Sequence, residues 1–189
     1  MHQSPRSLNA IHLLPADHGQ GVLYVEDESD HKILREWAAR LDHTALDFLK
    51  FPYLVPLQGK GNVDEAKRHF QSLRLAKPEI KGLCILDRDA DDEVSIRGMP
   101  EGMSVRTWNR YEIENYLLIP ELLKRFVRQD QEPLFCQTDE RRIDDEFVAN
   151  FPAHVDYLGD LAALRDLKAS DFIVGLMSQT SRPLAKRDL

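Results

Sequence analysis

Apolar positions along the chain come in two patterns, short unbroken runs and wider-spaced stripes, and the two alternate through the first half. "GVLYV" (Gly21 to Val25) is continuous, as expected of a parallel strand covered on both faces. Ile33, Leu34, Trp37, Ala38 and Leu41 then recur at helical spacing, which predicts an amphipathic helix with Ser29 or Asp30 as its cap. "FPYLVPLQG" predicts a second strand, which Pro52 and Pro56 shorten or confine to a sheet edge. A glycine-rich entry, "GKGN", leads into a helix with Val63, Ala66, Phe70 and Leu73 on one face. "KGLCILDRD" is the clearest buried strand, and "SVRTWN" predicts a fourth.

Strands alternating with helices predict an α/β fold built on a Rossmann-like parallel sheet flanked by helices. Beyond Tyr111 the period changes. "YEIENYLLIPELLKRFVRQ" reads as helical with an interruption at Pro120, and "HVDYLGDLAALRDLKA" and "DFIVGLMSQ" read as helical too. The expected organisation is a lead-in over residues 1–20, an α/β core over 21–116, and a mainly helical region over 117–189. No internal repeat or low-complexity segment is visible.

Composition narrows this picture in a few places. At 189 residues, with 42% hydrophobic and 30% charged, the chain is of ordinary globular type and suits one domain or one domain with an insertion. Its apolar runs are too short to span a bilayer, and the N-terminus lacks the pattern of a signal peptide. Cys84 and Cys136 are unclustered, which predicts reduced thiols and a cytoplasmic location. The net charge of −7 opposes a nonspecific nucleic-acid coat but not a nuclease, whose metal-holding carboxylates lower the charge themselves. There is no P-loop. "SRPLAKRDL" ends within the pattern of a helix start, which is the expectation for a piece of a longer protein.

The unusual chemistry is acidic. Four of the five residues Glu26-Asp27-Glu28-Ser29-Asp30 carry carboxylates directly after a buried run. Parallel strands joined by right-handed crossovers present their carboxyl ends along one sheet edge, where ligands usually bind. Glu26 ends the first strand, and Asp30 lies a turn further on. Asp87 and Asp89 end the third, two residues apart, so in extended backbone both point to one face. Such a set repels itself unless a hard divalent cation offsets the charge. Mg²⁺ accepts oxygen ligands in octahedral geometry, and two such ions can clamp a phosphoryl transfer. The plainer reading of Asp30 is a helix cap, and Asp27, Glu28, Asp91 and Asp92 read as solvated turn acids.

"VLYVEDESD" followed by "CILDRDAD" resembles the Toprim domain of topoisomerases, primases and related nucleases. "TWNRYEIENYLL" and "LQGKGNV" are similar to segments of the overcoming-lysogenisation-defect (OLD) family of nucleases. The resemblance covers about residues 20–120 and implies a Toprim catalytic core completed by the helical region. It implies a metal-dependent DNA endonuclease that nicks and cleaves by a two-metal mechanism. It also implies an ATPase domain elsewhere in the full-length protein, and a homodimer is a natural partner state.

By match to the family, Glu26, Asp30, Asp87 and Asp89 would be catalytic and hold two Mg²⁺ or Mn²⁺ ions, with Ca²⁺ as a non-catalytic occupant. Glu114 would join them as a further ligand, directly or through water. Glu112 falls two positions away and would point elsewhere. Lys186 in "LAKRDL" stands at the family's late lysine, although Ala185 replaces the expected glycine. Arg88, Arg106, Arg110, Lys60, Arg182 and Arg187 are candidate phosphate contacts. Two other readings compete. A response-regulator-like domain would bind Mg²⁺ and take a phosphoryl group on Asp87, and a catalytically silent Toprim module would only bind.

Overall fold

The computed structural model describes residues 21–57, 63–88, 98–129, 133–152, 156–157, 164 and 167–185. The chain divides into two compact units: Met1–Leu86 with Glu93–Thr107, and Asp87–Asp92 with Trp108–Leu189.

The first unit is a four-stranded, all-parallel sheet. Its strands are β1 (Val22–Val25), β2 (Tyr53–Pro56), β3 (Gly82–Leu86) and β4 (Met103–Thr107), in the spatial order β2-β1-β3-β4. Between them run α1 (Glu28–Arg40), the short α2 (Leu46–Lys50) and α3 (Val63–Ala76). As the apolar patterns predict, this is an α/β fold of Rossmann-like type. β1 lies inside the sheet, and all four of its residues are fully buried although successive side chains face opposite ways. The sheet is therefore covered on both faces there. On one face Val22, Tyr24 and Cys84 pack with Ala66, Phe70 and Leu73 of α3. β2 is an edge strand, as its two prolines predict, because proline has no N–H to give a second neighbour.

Gly82, in the sheet beside β1, marks a close helix–sheet contact. A Cβ built on it would lie 2.7 Å from Cε2 and 2.9 Å from Cδ2 of Phe70, a ring that is itself fully buried. Gly82→Ala is expected to destabilise the unit by about 1–3 kcal/mol through overpacking. Urea unfolding measures this, and a double variant with Phe70→Leu should recover part of the loss.

Several local expectations are corrected. The cap of α1 is Asp27, whose extended backbone (φ −131°, ψ 162°) starts the helix at Glu28, before the starts that Ser29 or Asp30 would give. Leu41 lies past the last helical residue and is 75% exposed, so it does not extend the buried stripe of Ile33 and Ala38. α2 was not foreseen, since five residues show no periodicity.

In the second unit "EIENYLL" forms a 3₁₀ turn (Ile113–Leu117) and not an α-helix. Pro120 begins α4 (Pro120–Arg128) where it was expected to interrupt a helix. At the first helical position its missing N–H costs nothing, because that group would have no intrahelical partner. α5 (Pro133–Asn150) and α6 (Ala169–Met177) follow. Their apolar faces make a second core of Leu118, Leu123, Val127, Ile143, Phe147, Leu164, Ile173 and Met177. α6 is the helix expected from "DFIVGLMSQ", whereas most of "HVDYLGDLAALRDLKA" and the turn "QGKGN" lie outside the described residues. No described helix is long and apolar enough to cross a membrane.

Candidate metal centre

The acids after β1 are organised by the start of α1. Asp27 accepts from the backbone N–H of Ser29 at 3.4 Å, and Asp30 Oδ2 accepts from the backbone N–H of Asp27 at 3.2 Å. This reciprocal capping box satisfies donors that the helix itself leaves open. Asp30 is thereby drawn under the turn and is only 6% exposed, while Glu26 is half-buried and Asp27 and Glu28 are exposed. The structure thus gives Asp30 the capping role that its position allows, as the N3 partner of Asp27.

Asp30 is nonetheless electrostatically unusual. Burial pushes its carboxyl up to about 6, and the charges of Glu26 and Asp27 push the same way, against the hydrogen bonds from the Asp27 and Glu26 backbone. Glu26 also acts on Cys84. That thiol is raised to about 12, first by burial and then by the Glu26 charge. Glu26, Asp27 and Asp30 thus bring like charges together where β1 passes into α1.

The sign of the pH dependence follows from the raised value. In the unfolded chain an aspartate titrates near ~3.9, so between about pH 4 and 6 the folded state holds the extra proton and stability falls as pH rises. Asp30→Asn keeps an oxygen for the Asp27 N–H and removes the charge. It is expected to raise metal-free stability at pH 8 by on the order of 2 kcal/mol, with the gain vanishing near pH 4. Urea titrations in EDTA at the two pH values measure it; equal stabilities at pH 8 would refute a raised Asp30.

Asp87 is the first residue after β3 and is half-buried. The backbone here belongs to the second unit. Arg88 N–H donates to the Tyr111 carbonyl at 2.8 Å, and Arg88 Nη1 donates to the Asn109 carbonyl at 3.0 Å. Asp89 and Lys186 lie outside the described residues. Among the described residues no group of three or more His, Cys, Asp or Glu side chains is arranged to hold a metal ion.

Glu114 is 8% exposed, on the 3₁₀ turn. Around it lies a polar network that sequence reasoning missed. Glu112, expected to point away, is 5% exposed, and its Oε1 accepts from the Ser170 N–H at the start of α6 at 2.5 Å. Asn115, fully buried, accepts from the Glu112 N–H at 3.1 Å and donates to the carbonyls of Leu164 (2.6 Å) and Leu167 (2.7 Å). Arg110, 3% exposed, donates to the carbonyls of Asn115 (2.7 Å) and Tyr157 (2.9 Å), with its guanidinium 4.7 Å from the Tyr116 ring centroid. The signal for part of this was present in the sequence: Glu112 and Asn115 have the spacing of a capping box.

Two candidate phosphate contacts are corrected. Arg110 is buried against carbonyls, and Arg182 is committed to the Phe126 and Gln129 carbonyls. Arg106 is exposed and Arg88 half-buried, while Lys60 and Arg187 lie outside the described residues. Compared with known protein families, curated proteins and solved structures, the chain matches none of them.

Proposed function

We propose that the chain is a metal-dependent DNA endonuclease of Toprim type, the nuclease half of a larger cytoplasmic ATPase–nuclease. The observation that carries this reading is where the acids fall in the sheet. β2 lies on one side of β1 and β3 on the other, so the order of the strands reverses between β1 and β3. In open parallel sheets ligands bind at the carboxyl ends of the strands flanking such a reversal. Those two strands are the ones followed directly by Glu26 and Asp87.

The donor chemistry fits a hard divalent cation. The groups are carboxylates, and the charges of Glu26 and Asp27 add to burial in raising the Asp30 carboxyl. Glu26, Asp30, Asp87 and Asp89 would hold Mg²⁺ or Mn²⁺, with Glu114 as a further oxygen donor and Ca²⁺ as a non-catalytic occupant. Bound there, two such ions supply an activated water and stabilise the departing oxygen of an in-line phosphodiester hydrolysis. Asp30 Oδ2 stays on the Asp27 N–H, so the capping box fixes the direction in which its other oxygen is offered. Lys186 donates hydrogen bonds to the non-bridging phosphate oxygens, where charge builds up in the transition state. Arg88 and Arg106 hold the DNA backbone without reading bases, so cleavage is expected on unrelated sequences alike.

The test is supercoiled plasmid incubated with Mg²⁺, Mn²⁺ or EDTA. Nicking and linearisation that require metal support the reading, and intact plasmid under every metal overturns it. One observation favours a second reading. The order β2-β1-β3-β4 is that of the first four strands of flavodoxin-like sheets, which receiver domains share. A phosphoacceptor at Asp87 would be labelled by acetyl phosphate in Mg²⁺ and would leave plasmid uncut.

A further inference from the structure

Three aromatic rings follow closely in sequence at Trp108, Tyr111 and Tyr116, all within the second unit. Each residue is half-buried, and among the described residues none of the three belongs to either hydrophobic core. Large rings normally stabilise a protein through the area they bury in a core, so three held outside one call for another use. They are nonetheless fixed. The buried Arg110 guanidinium lies over the Tyr116 ring, 4.7 Å from its centroid, and covers one face of it from within. Arg110 is itself held by the carbonyls of Asn115 and Tyr157. The Trp108 ring meets Tyr116 edge to face, with centroids 5.8 Å apart at 63°. The indole N–H is buried, so whatever the Trp108 ring shows to solvent is carbon. Arg88 ties the loop between the rings, its N–H on the Tyr111 carbonyl at 2.8 Å and its Nη1 on the Asn109 carbonyl at 3.0 Å. Arg88 is half-buried, and among the described residues it forms no ion pair.

A prearranged ring surface next to a cation suits one ligand class best. Every nucleobase has a π-face, and its backbone carries a phosphate, so proteins that bind single strands combine aromatic stacking with basic side chains. In a duplex the base faces are already stacked on one another. We infer that Trp108, backed by Tyr116 and with Arg88 bonded to the residue that follows it, is a stacking platform for single-stranded nucleic acid. This rests on the nuclease reading above in naming DNA as the strand, and it makes locally unpaired DNA the preferred substrate. Stacking discriminates poorly between bases, in keeping with cleavage of unrelated sequences.

Binding is measured in EDTA, where metal-dependent cleavage does not occur, by the anisotropy of a fluorescein-labelled oligothymidylate, with a duplex of the same length as competitor. The single strand is expected to bind about tenfold more tightly than the duplex or better. Trp108→Leu should weaken single-strand binding by about tenfold or more, whereas Trp108→Phe, which keeps a ring, should stay near wild type. Arg88→Gln should lower the slope of log affinity against log salt by about 0.7, the contribution of one phosphate contact on a single strand. Circular dichroism checks the fold of each variant. A second readout leaves the platform itself unaltered: in Trp37→Phe the one remaining tryptophan is Trp108, and its fluorescence should be quenched as the oligothymidylate binds. Wild-type affinity in Trp108→Leu, or binding without quenching of Trp108, would overturn the platform, and so would a preference for the duplex. A chain that binds neither form in EDTA would overturn it too. The nuclease reading is decided separately, by whether plasmid is cut in Mg²⁺ or Mn²⁺, so the two can fail independently.

Discussion

Asp87→Ala is expected to reduce metal-dependent plasmid cleavage by on the order of a thousandfold or more while leaving the fold intact. Asp87 follows β3 directly, and β3 pairs with the strand that leads into Glu26 and Asp30. In the proposed site, removing one carboxylate would remove ligand charge from the set offered to the cations. If Asp87 shares a site with Glu26 and Asp30, the same change relieves repulsion among like charges, and metal-free thermal stability should be unchanged or slightly higher. Asp87→Asn separates charge from shape, since it keeps the volume and one acceptor oxygen. Cleavage at the wild-type rate in the alanine variant, with native circular dichroism, would remove Asp87 from the site. If the receiver reading is right instead, the variant loses labelling by acetyl phosphate and there is no cleavage to lose.

Much of the first unit was legible because its strands are buried on both faces. "GVLYV" and "GLCIL" are continuous apolar runs for that reason, and the prolines flanking "YLV" named the edge strand before any pairing was known. The acids were legible for a related reason: a charge directly after such a run stands out. What the sequence did not reveal was how the local donors share them. Asp27 and Asp30 are equally good caps by residue type, and only the backbone conformation at Asp27 decides which one opens the helix.

The second unit was harder to read because its organising groups are polar. Period and hydropathy find Ile113, Leu118 and Ile173, but they treat Arg110, Glu112, Asn115 and Asp139 as surface. In the structure all four are at most 5% exposed, and each is held by partners distant in sequence, from Ser170 to Glu112 and from Ser181 to Asp139. Arginines taken for phosphate contacts proved to satisfy carbonyls for the same reason. A buried polar group is specified by its partners, and those are set by tertiary packing that no short window contains.

Asn115→Ala is therefore expected to be the most damaging single change to the stability of the second unit, at about 4 kcal/mol. Asn115 is fully buried and uses its amide in both senses. Its Nδ2 serves the Leu164 and Leu167 carbonyls at 2.6 and 2.7 Å, and its Oδ1 serves the Glu112 N–H at 3.1 Å. Alanine removes the partner of two acceptors and one donor, and a water entering the vacated space would restore only part of that bonding. Each such orphan costs about 1–3 kcal/mol, and their sum exceeds the net worth of the bonds themselves. Asn115→Asp is the sharper control, because it keeps the shape and the acceptor but replaces the donor with an anion facing two carbonyls. It should be as destabilising at neutral pH and recover partly in acid, where protonation restores one donor. Urea unfolding followed by the fluorescence of Trp108, which lies in this unit 5.8 Å from Tyr116, reads the effect directly. A loss below about 1 kcal/mol in Asn115→Ala would mean that the three partners find other hydrogen bonds, and that the network does not hold the 3₁₀ turn to the start of α6.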